Sequence, residues 1–263
     1  MTHSPPPPGV PAIQMNRVTA GSMRDLTTVV VEAVDWTVAQ KDYWVLAGLQ
    51  GSGKSDFMMM TAGLMPPTSG EYCLFGESMP IFEESRLQER LRLGLVFETG
   101  QLFNHLTVWE NIALPLRYHQ NLSKADAVPE VQPFLEALGL EPWSDSTPGA
   151  IARNWQKRVG LARALILQPD VLLVDNPLVG LDLRHIHWWI DFLRQLSNGH
   201  QLLGGKPLTL VVTTADLRPW TGQPCRFATL RNKRFCVLGD WSQIETESGD
   251  LVRELLMAEV KPG

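Results

Sequence analysis

Eight consecutive residues carry the most specific chemistry in this sequence: Gly48, Leu49, Gln50, Gly51, Ser52, Gly53, Lys54 and Ser55. Their spacing is that of a phosphate-binding loop: Gly, four residues, then Gly-Lys-Ser/Thr. Glycines let the backbone curl so that successive N–H groups point at one anion. A helix beginning at the loop's end adds its dipole. Lys54 then reaches the terminal phosphates, and the Ser55 hydroxyl is placed to ligate Mg²⁺. A second chemical residue is Asp175, at the end of Val171-Leu172-Leu173-Val174. Four apolar residues closed by an acid describe a buried parallel strand with a carboxylate at its carboxyl end. Open α/β sheets bind ligands at that end, so Asp175 reads as the Mg²⁺-side partner of the loop.

The elements that must position these residues follow from periodicity. The apolar run 43–47 reads as a strand feeding the loop, and 56–64 as the helix leaving it. Residues 13–19 and 27–38 read as strands, with Lys41-Asp42 as the turn before residue 43. Pro66-Pro67-Thr68-Ser69-Gly70 is a turn, 71–75 a short strand, 85–91 a charged helix and 93–97 an apolar strand. Thr107 can cap a helix running to about Leu116, with Glu110 completing a capping box. Residues 131–138 form a helix ended by Gly139. Val159, Ala162, Leu165 and Ile166 share one face of another. A helix carrying Trp188 and Trp189 follows Leu181-Asp182, and 208–213 is a buried strand. Strands 227–230 and 235–238 pair around Arg231-Asn232-Lys233, and 250–260 is a closing amphipathic helix. His185 and His187 are two apart and share no helix face, so they read as surface or core residues rather than a metal pair.

Composition sets the frame. The 263 residues are 44% hydrophobic and 19% charged, which suits one large globular domain or a domain with subdomains. With 23 basic and 28 acidic residues the formal charge is −5, and no basic patch points to nucleic acid. The three cysteines, Cys73, Cys225 and Cys236, form neither a metal spacing nor a disulfide framework and favour a reducing compartment. No apolar run approaches a membrane span, so membrane association is expected through a partner. The tail 1–11, with Pro5-Pro6-Pro7-Pro8, reads as a disordered leader rather than a ligand for a proline-binding module.

From about Ile13 to Val260 the ordered motifs resemble the ATP-binding subunit of ABC transporters. The phosphate loop, Val171–Asp175 with Asn176-Pro177, Gly180-Leu181-Asp182 at the D-loop and residues 158–165 after the signature position carry the resemblance. Residues 96–103, 111–117 and 177–182 look like the lipid-asymmetry (Mla or Mkl-type) branch. The resemblance implies an α/β fold: a P-loop NTPase with a RecA-like core, an antiparallel β-subdomain and an α-helical subdomain. After the tail 1–11 it implies one nucleotide-binding domain, 12–263, with core and β-subdomain about 12–97 and 168–263 and helical subdomain about 98–167. It also implies binding of ATP or ADP with Mg²⁺, held by Ser55, Asp175 and the residue at position 98. It implies a subunit that dimerises, as a homo- or heterodimer with a second ATPase subunit. It implies a peripheral protein on the inner, cytoplasmic face of the membrane, beneath a permease pair with MCE-domain partners.

Departures from that pattern cluster on catalysis. The family's water-polarising Glu is Asn176, which cannot accept a proton. Its switch His is Ala215, and its Mg²⁺-ligating, permease-sensing Gln is Glu98. The hydroxyl residue after Ser55 is Asp56, whose charge suits an empty helix N-terminus and opposes a bound anion. No aromatic stands near residues 20–22, where one stacks on adenine. The Leu-Ser-Gly-Gly-Gln signature reads Ile151, Ala152, Arg153, Asn154, Trp155. Arg153 supplies either an arginine-finger contact or simply the start of a helix, and Trp155 crowds the approach. The expected function is therefore a nucleotide-binding subunit of a lipid-related transporter with weak nucleotide binding and slow or absent hydrolysis. Three alternatives differ. One is an active transport ATPase in which Glu98 and Arg153 compensate. A second is a soluble relative acting in translation or DNA repair, and a third a scaffold that binds no nucleotide.

Overall fold

The computed structural model describes residues 8–246 and 255–256. Most of the proline run in the tail and most of the expected closing helix, 250–260, lie outside the described residues. Val10, at the near end of the tail, accepts a hydrogen bond from Gln40 Nε2 at 2.7 Å.

Among the described residues ten strands make two sheets. The larger has the order β10-β9-β3-β8-β7-β6, from β3 (Tyr43–Ala47), β6 (Leu93–Val96), β7 (Val171–Val174), β8 (Thr209–Thr214), β9 (Arg226–Arg231) and β10 (Arg234–Gly239). All of its pairings are parallel except the β9–β10 hairpin. The hairpin turns on Asn232 and Lys233 at φ 49° and 62°, the doubly positive geometry that follows the strand twist. The smaller sheet is antiparallel, with order β2-β1-β4-β5, from β1 (Ile13–Gly21), β2 (Val29–Val38), β4 (Ser69–Leu74) and β5 (Glu77–Ser78).

Side chains alternate across the large sheet because the strand period is two. Tyr43, Val45, Leu172, Val174, Leu210 and Val212 enter one core, roofed by α3 (Val108–His119), α4 (Lys124–Leu138), α5 (Arg153–Leu165) and α6 (Leu183–Asn198). Trp44, Leu46, Val171, Leu173 and Val211 enter the other, against the small sheet and α1 (Lys54–Thr61). The α/β fold with a separate antiparallel sheet and a helical region is thus the fold expected from the sequence. α2 (Leu87–Arg90) and α7 (Trp241–Thr246) are short additions.

The helix after the loop spans Lys54–Thr61 instead of 56–64, α3 runs on to His119, and two helices differ more. α4 starts at Lys124, seven residues before residue 131, because Ser123 Oγ caps it by accepting from Asp126 N at 3.2 Å. Pro129 and Pro133 lie inside it. The charged helix at 85–91 is a 3₁₀ turn followed by the single turn α2. At Thr107 both halves of the capping box form: Glu110 N donates to Thr107 Oγ1 at 3.1 Å and Thr107 N to Glu110 Oε2 at 2.9 Å.

Candidate functional site

Four neighbouring parallel strands stop at one edge and deliver the site. Register pairs Val96 with Val174, Val174 with Val212 and Ala47 with Thr214, so the residues that follow these positions emerge side by side. They are Gly48 after β3, Asp175 and Asn176 after β7, Ala215 after β8 and, two residues beyond β6, Glu98. Asp175, Asn176, Ala215 and Glu98, together with Gln50–Asp56, line a cleft of about 280 Å³.

The loop turns through Gly51 at φ 78° and enters α1 through Gly53 at φ 91°, where L side chains are strained. A Cβ on Gly53 would also stand 2.9 Å from Val30 Cβ. Lys54 is only 7% exposed. Its ammonium group donates to Gly48 O at 2.6 Å and Leu49 O at 2.9 Å, with Ser52 Oγ at 3.4 Å. Burial pulls its pKa down to about 8, against the opposing pull of Asp175 and Glu98.

The two residues after β7 share one anchor. Thr213 Oγ1 donates to Asp175 Oδ1 at 2.7 Å and accepts from Asn176 N at 2.9 Å. Asn176 sits at φ 45°, and its side-chain amide donates to Glu98 Oε2 at 2.9 Å. A second buried ammonium stands behind this pair. Lys157 Nζ donates to Pro177 O at 3.0 Å and Val179 O at 2.8 Å. Burial lowers its pKa to about 8, while Glu98 and Asp175 pull it upward. Lys157 lies five residues into α5 and carried no signal in the sequence beyond its place in an amphipathic helix.

Among the cleft's own lining residues, three carboxylates face one ammonium. A naked polyphosphate is repelled by such a lining, whereas a polyphosphate accompanied by a divalent cation is not. The Ser55 hydroxyl with the carboxylates of Asp175 and Glu98 is an all-oxygen donor set of the hard kind Mg²⁺ takes, with phosphate oxygens completing the shell. The residues therefore fit Mg²⁺ with a nucleotide. Asp56 is turned toward the β1–β2 loop: its Oδ1 accepts from Met23 N at 2.7 Å. That contact ties the segment at 22–28 over the first turn of α1. Val29 and Val30 line a second cleft of about 440 Å³ on the outer side of the loop, opposite Asn232 and Lys233.

The signature-position residues stand apart from the chain's own loop. Ile151 is buried, and Ala152 and Arg153 are exposed. Ala152 is the N-cap of α5 and makes no side-chain cap. Asn154 is tied to the N-terminal end of α6. Its Nδ2 meets His185 Nε2 at 2.7 Å, and His185 Nδ1 meets Asp182 Oδ1 at 2.9 Å. A neutral imidazole with its proton on Nδ1 satisfies both contacts. Asp182 also caps α6 by accepting from His185 N at 3.0 Å. His185 is therefore neither a free surface residue nor plain core; it bridges two segments. Trp155 does not stand free at the approach. It packs 6.2 Å from Trp143 and stacks on Arg158 at 4.6 Å. Arg158 lies over Trp188 on its other side at 3.5 Å and donates to Leu138 O at 3.0 Å.

Comparison with known proteins bears on this arrangement. The family model described as ABC transporter matches residues 31–179, more than half of the chain. The spermidine/putrescine import ATP-binding protein PotA of Trichodesmium erythraeum is 33% identical over 81% of this chain and 53% of its own length. The match thus spans about half the length of that relative. The intermembrane phospholipid transport ATP-binding protein MlaF of Escherichia coli is 28% identical over 86% of this chain and 82% of its own. Among solved structures, cbiO1 of Clostridium perfringens shares the fold with TM-score 0.75 at 19% identity, over 90% of this chain and 91% of that one. The ATP-binding cassette MJ0796, a dimer bound to ADP and Pi, aligns with TM-score 0.72 at 25% identity, over 84% and 95%. Among the described residues no helix is long and apolar enough to cross a membrane. The family model over more than half of the chain, with those relatives and this fold, places the chain in the ABC transporter family, as a nucleotide-binding domain.

Proposed function

We propose that the chain is the nucleotide-binding subunit of an Mla-like transporter, that its cargo is a phospholipid or related lipid, and that it turns ATP over slowly. The MlaF match runs nearly end to end in both chains, which favours the lipid branch over the half-length polyamine relatives. Slow turnover is carried by one observation. The cleft around Lys54, Ser55 and Asp175 has an amide at 176 and a methyl group at 215 where a base and a γ-phosphate donor are needed. MgATP or MgADP binds weakly through Gly48–Ser55, Asp175 and Glu98, with the base against Val29 and Val30 instead of an aromatic ring.

The protein lies on the inner face of the cytoplasmic membrane as a dimer, homomeric or with a second ATPase, under a permease pair linked to an MCE-domain protein. The segment 98–116 receives the permease: Phe103 is exposed, and Asn111 beside it bonds Phe103, Leu106 and Thr107 and so holds the rim in shape. Residues 12–97 and 168–263 act as core and β-subdomain, and 98–167 as the helical subdomain. The test has two parts. MgATP at millimolar concentration should raise the melting temperature of the wild type and not of Lys54→Ala. Phosphate release should exceed that of Lys54→Ala only slightly. Release at many turnovers per second overturns the slow-turnover reading, and an unmoved melting temperature overturns nucleotide binding. Co-purification from membranes with a permease and an MCE-domain protein tests the lipid branch.

A further inference from the structure

Helix α5 grips both loops that bring Glu98 and Asp175 to the cleft, each with one cation. Arg163 Nη2 donates to Gly100 O and Gln101 O, two and three residues past Glu98. Lys157 Nζ donates to Pro177 O at 3.0 Å and Val179 O at 2.8 Å, two and four residues past Asp175. Arg163 is half-buried, whereas Lys157 is only 5% exposed. An ammonium that far from water is unfavourable, and the two carbonyl bonds offset its burial. The segment it ties is strained at its start. Asn176 sits at φ 45°, a left-handed turn that a non-glycine residue keeps only where its surroundings hold it. Thr213 Oγ1 holds the near side of that turn, at Asn176 N, and Lys157 holds the far side, at the carbonyls of 177 and 179. The turn so fixed points the Asn176 amide at Glu98 Oε2, 2.9 Å away. Among the described residues Glu98 Oε1 makes no hydrogen bond, so it is the oxygen presented to a cation.

We propose that Lys157 is a positioning residue for the Mg²⁺ site: by tying Pro177 O and Val179 O it holds the Asn176 turn, and through that turn the Glu98 carboxylate, in the ligating position. The proposal rests on the phosphate-cradle reading above. It deepens that reading by assigning the support of the cation site to α5. Lys157 is not among the residues lining the cleft, and its charge reaches Glu98 and Asp175 from behind them. A charge and a tie have opposite consequences when removed. Loss of a nearby positive charge makes the cleft more negative, which strengthens cation binding and weakens that of a bare polyphosphate. Loss of a tie lets the ligand drift and weakens cation binding alone.

The test separates the two on the purified full chain. Equilibrium binding of fluorescent trinitrophenyl-ATP is titrated in excess Mg²⁺ and again in EDTA. The proteins are wild type, Lys157→Met and Lys157→Gln, with Arg158→Ala as a control on the same helix. The ratio of the two affinities is the gain brought by the cation, and wild type is expected to bind more tightly with Mg²⁺. In Lys157→Met that gain falls about tenfold, the lower end of what loss of an outer-shell partner brings. Affinity in EDTA stays within about twofold, as for two sites that do not interact. Lys157→Gln, a neutral amide one bond shorter, loses the gain in smaller degree but by more than about twofold, and it decides the matter if Lys157→Met does not fold. Arg158→Ala lowers stability and leaves the gain unchanged. Several outcomes overturn the proposal while leaving the cradle intact. The gain is unchanged in the folded Lys157 variants; or it rises while affinity in EDTA falls, which marks a counter-charge; or both affinities fall together, or Arg158→Ala loses the gain as well, either of which marks general damage to the fold. Wild type that binds nucleotide equally well in EDTA overturns the Mg²⁺ site, and this proposal with it. Failure of the wild type to bind nucleotide at all overturns the cradle reading.

Discussion

The phosphate-loop end of the cleft and the signature end of α5 carry different kinds of change. From Gly48 to Ser55 the residues keep their expected chemistry and the novelty lies in their partners. Lys54 is folded onto the carbonyls of its own loop, and Asp56 onto Met23. At the signature end the residue types have changed, and new packing has grown around them. Asn154 is roped to His185, Trp155 is laid against Trp143 and Arg158, and Arg153 is left in solvent. Where the resemblance expects a glycine-rich approach, the chain has a well-packed helix start. On the function proposed above, the contrast is between a site without a base that keeps its cradle, and a contact surface packed for internal stability.

The sharpest way to break that contrast is Lys54→Ala. Removing a charged donor from a phosphate costs about 1.5–3 kcal/mol, or roughly ten- to a hundredfold in ATP affinity by fluorescence titration. The same change removes a buried charge, so the melting temperature without nucleotide should hold or rise. If binding survives, the loop is not a cradle. Arg158→Ala should show the opposite signature. Loss of the guanidinium between Trp155 and Trp188, and of its bond to Leu138 O, should cost about 2–3 kcal/mol in urea unfolding with little change in nucleotide affinity.

The pH response sharpens the comparison further. Lys54 loses its charge in the empty loop as pH rises past about 8, so ATP affinity should fall above that pH, by up to about tenfold per unit. The stability of the empty protein moves the other way. The unfolded chain keeps the Lys54 proton up to about pH 10.4, so the penalty from burying this charge is full below about 8 and fades between the two values. Lys157 adds to the same trend. The smallest effect belongs to His185→Ala. It frees Asn154 and removes one ring contact, for about 1 kcal/mol of stability measured by thermal unfolding. An effect as large as that of Arg158→Ala would make the Asn154–His185–Asp182 chain a principal support of the region instead of a local tie.

Much of the fold was legible because local signals agreed with it. The run 43–47 is the strand Tyr43–Ala47, and Thr107 with Glu110 marked a helix start that the structure repeats bond for bond. The signals failed where they compete. Pro129 and Pro133 argue against the first half of α4, yet Ser123 caps it, and Ala127 and Val131 are fully buried against the helical core. At the site, residue types gave the candidates but not their pairings. Glu98 and Asn176 are 78 residues apart, and Asp56 and Met23 are 33 apart. No periodicity links such positions; only the sheet order brings them together. An acid standing where an amide is expected, and an amide where an acid is expected, was the one clue in the sequence that these two positions belong to a single unit.

One close approach fixes how force travels through this molecule. A Cβ on Gly160 would lie 2.8 Å from Gly100 Cα, and a Cβ on Gly100 would lie 2.6 Å from Gln156 O. Arg163 Nη2 bolts the same loop to α5 through the carbonyls of Gly100 and Gln101, at 2.8 and 2.9 Å. With no side chain to act as a spring, the strap from Glu98 to Phe103 is geared to the helix beneath it. Displacing the Phe103 rim should therefore shift Glu98 and the first turn of α5 together.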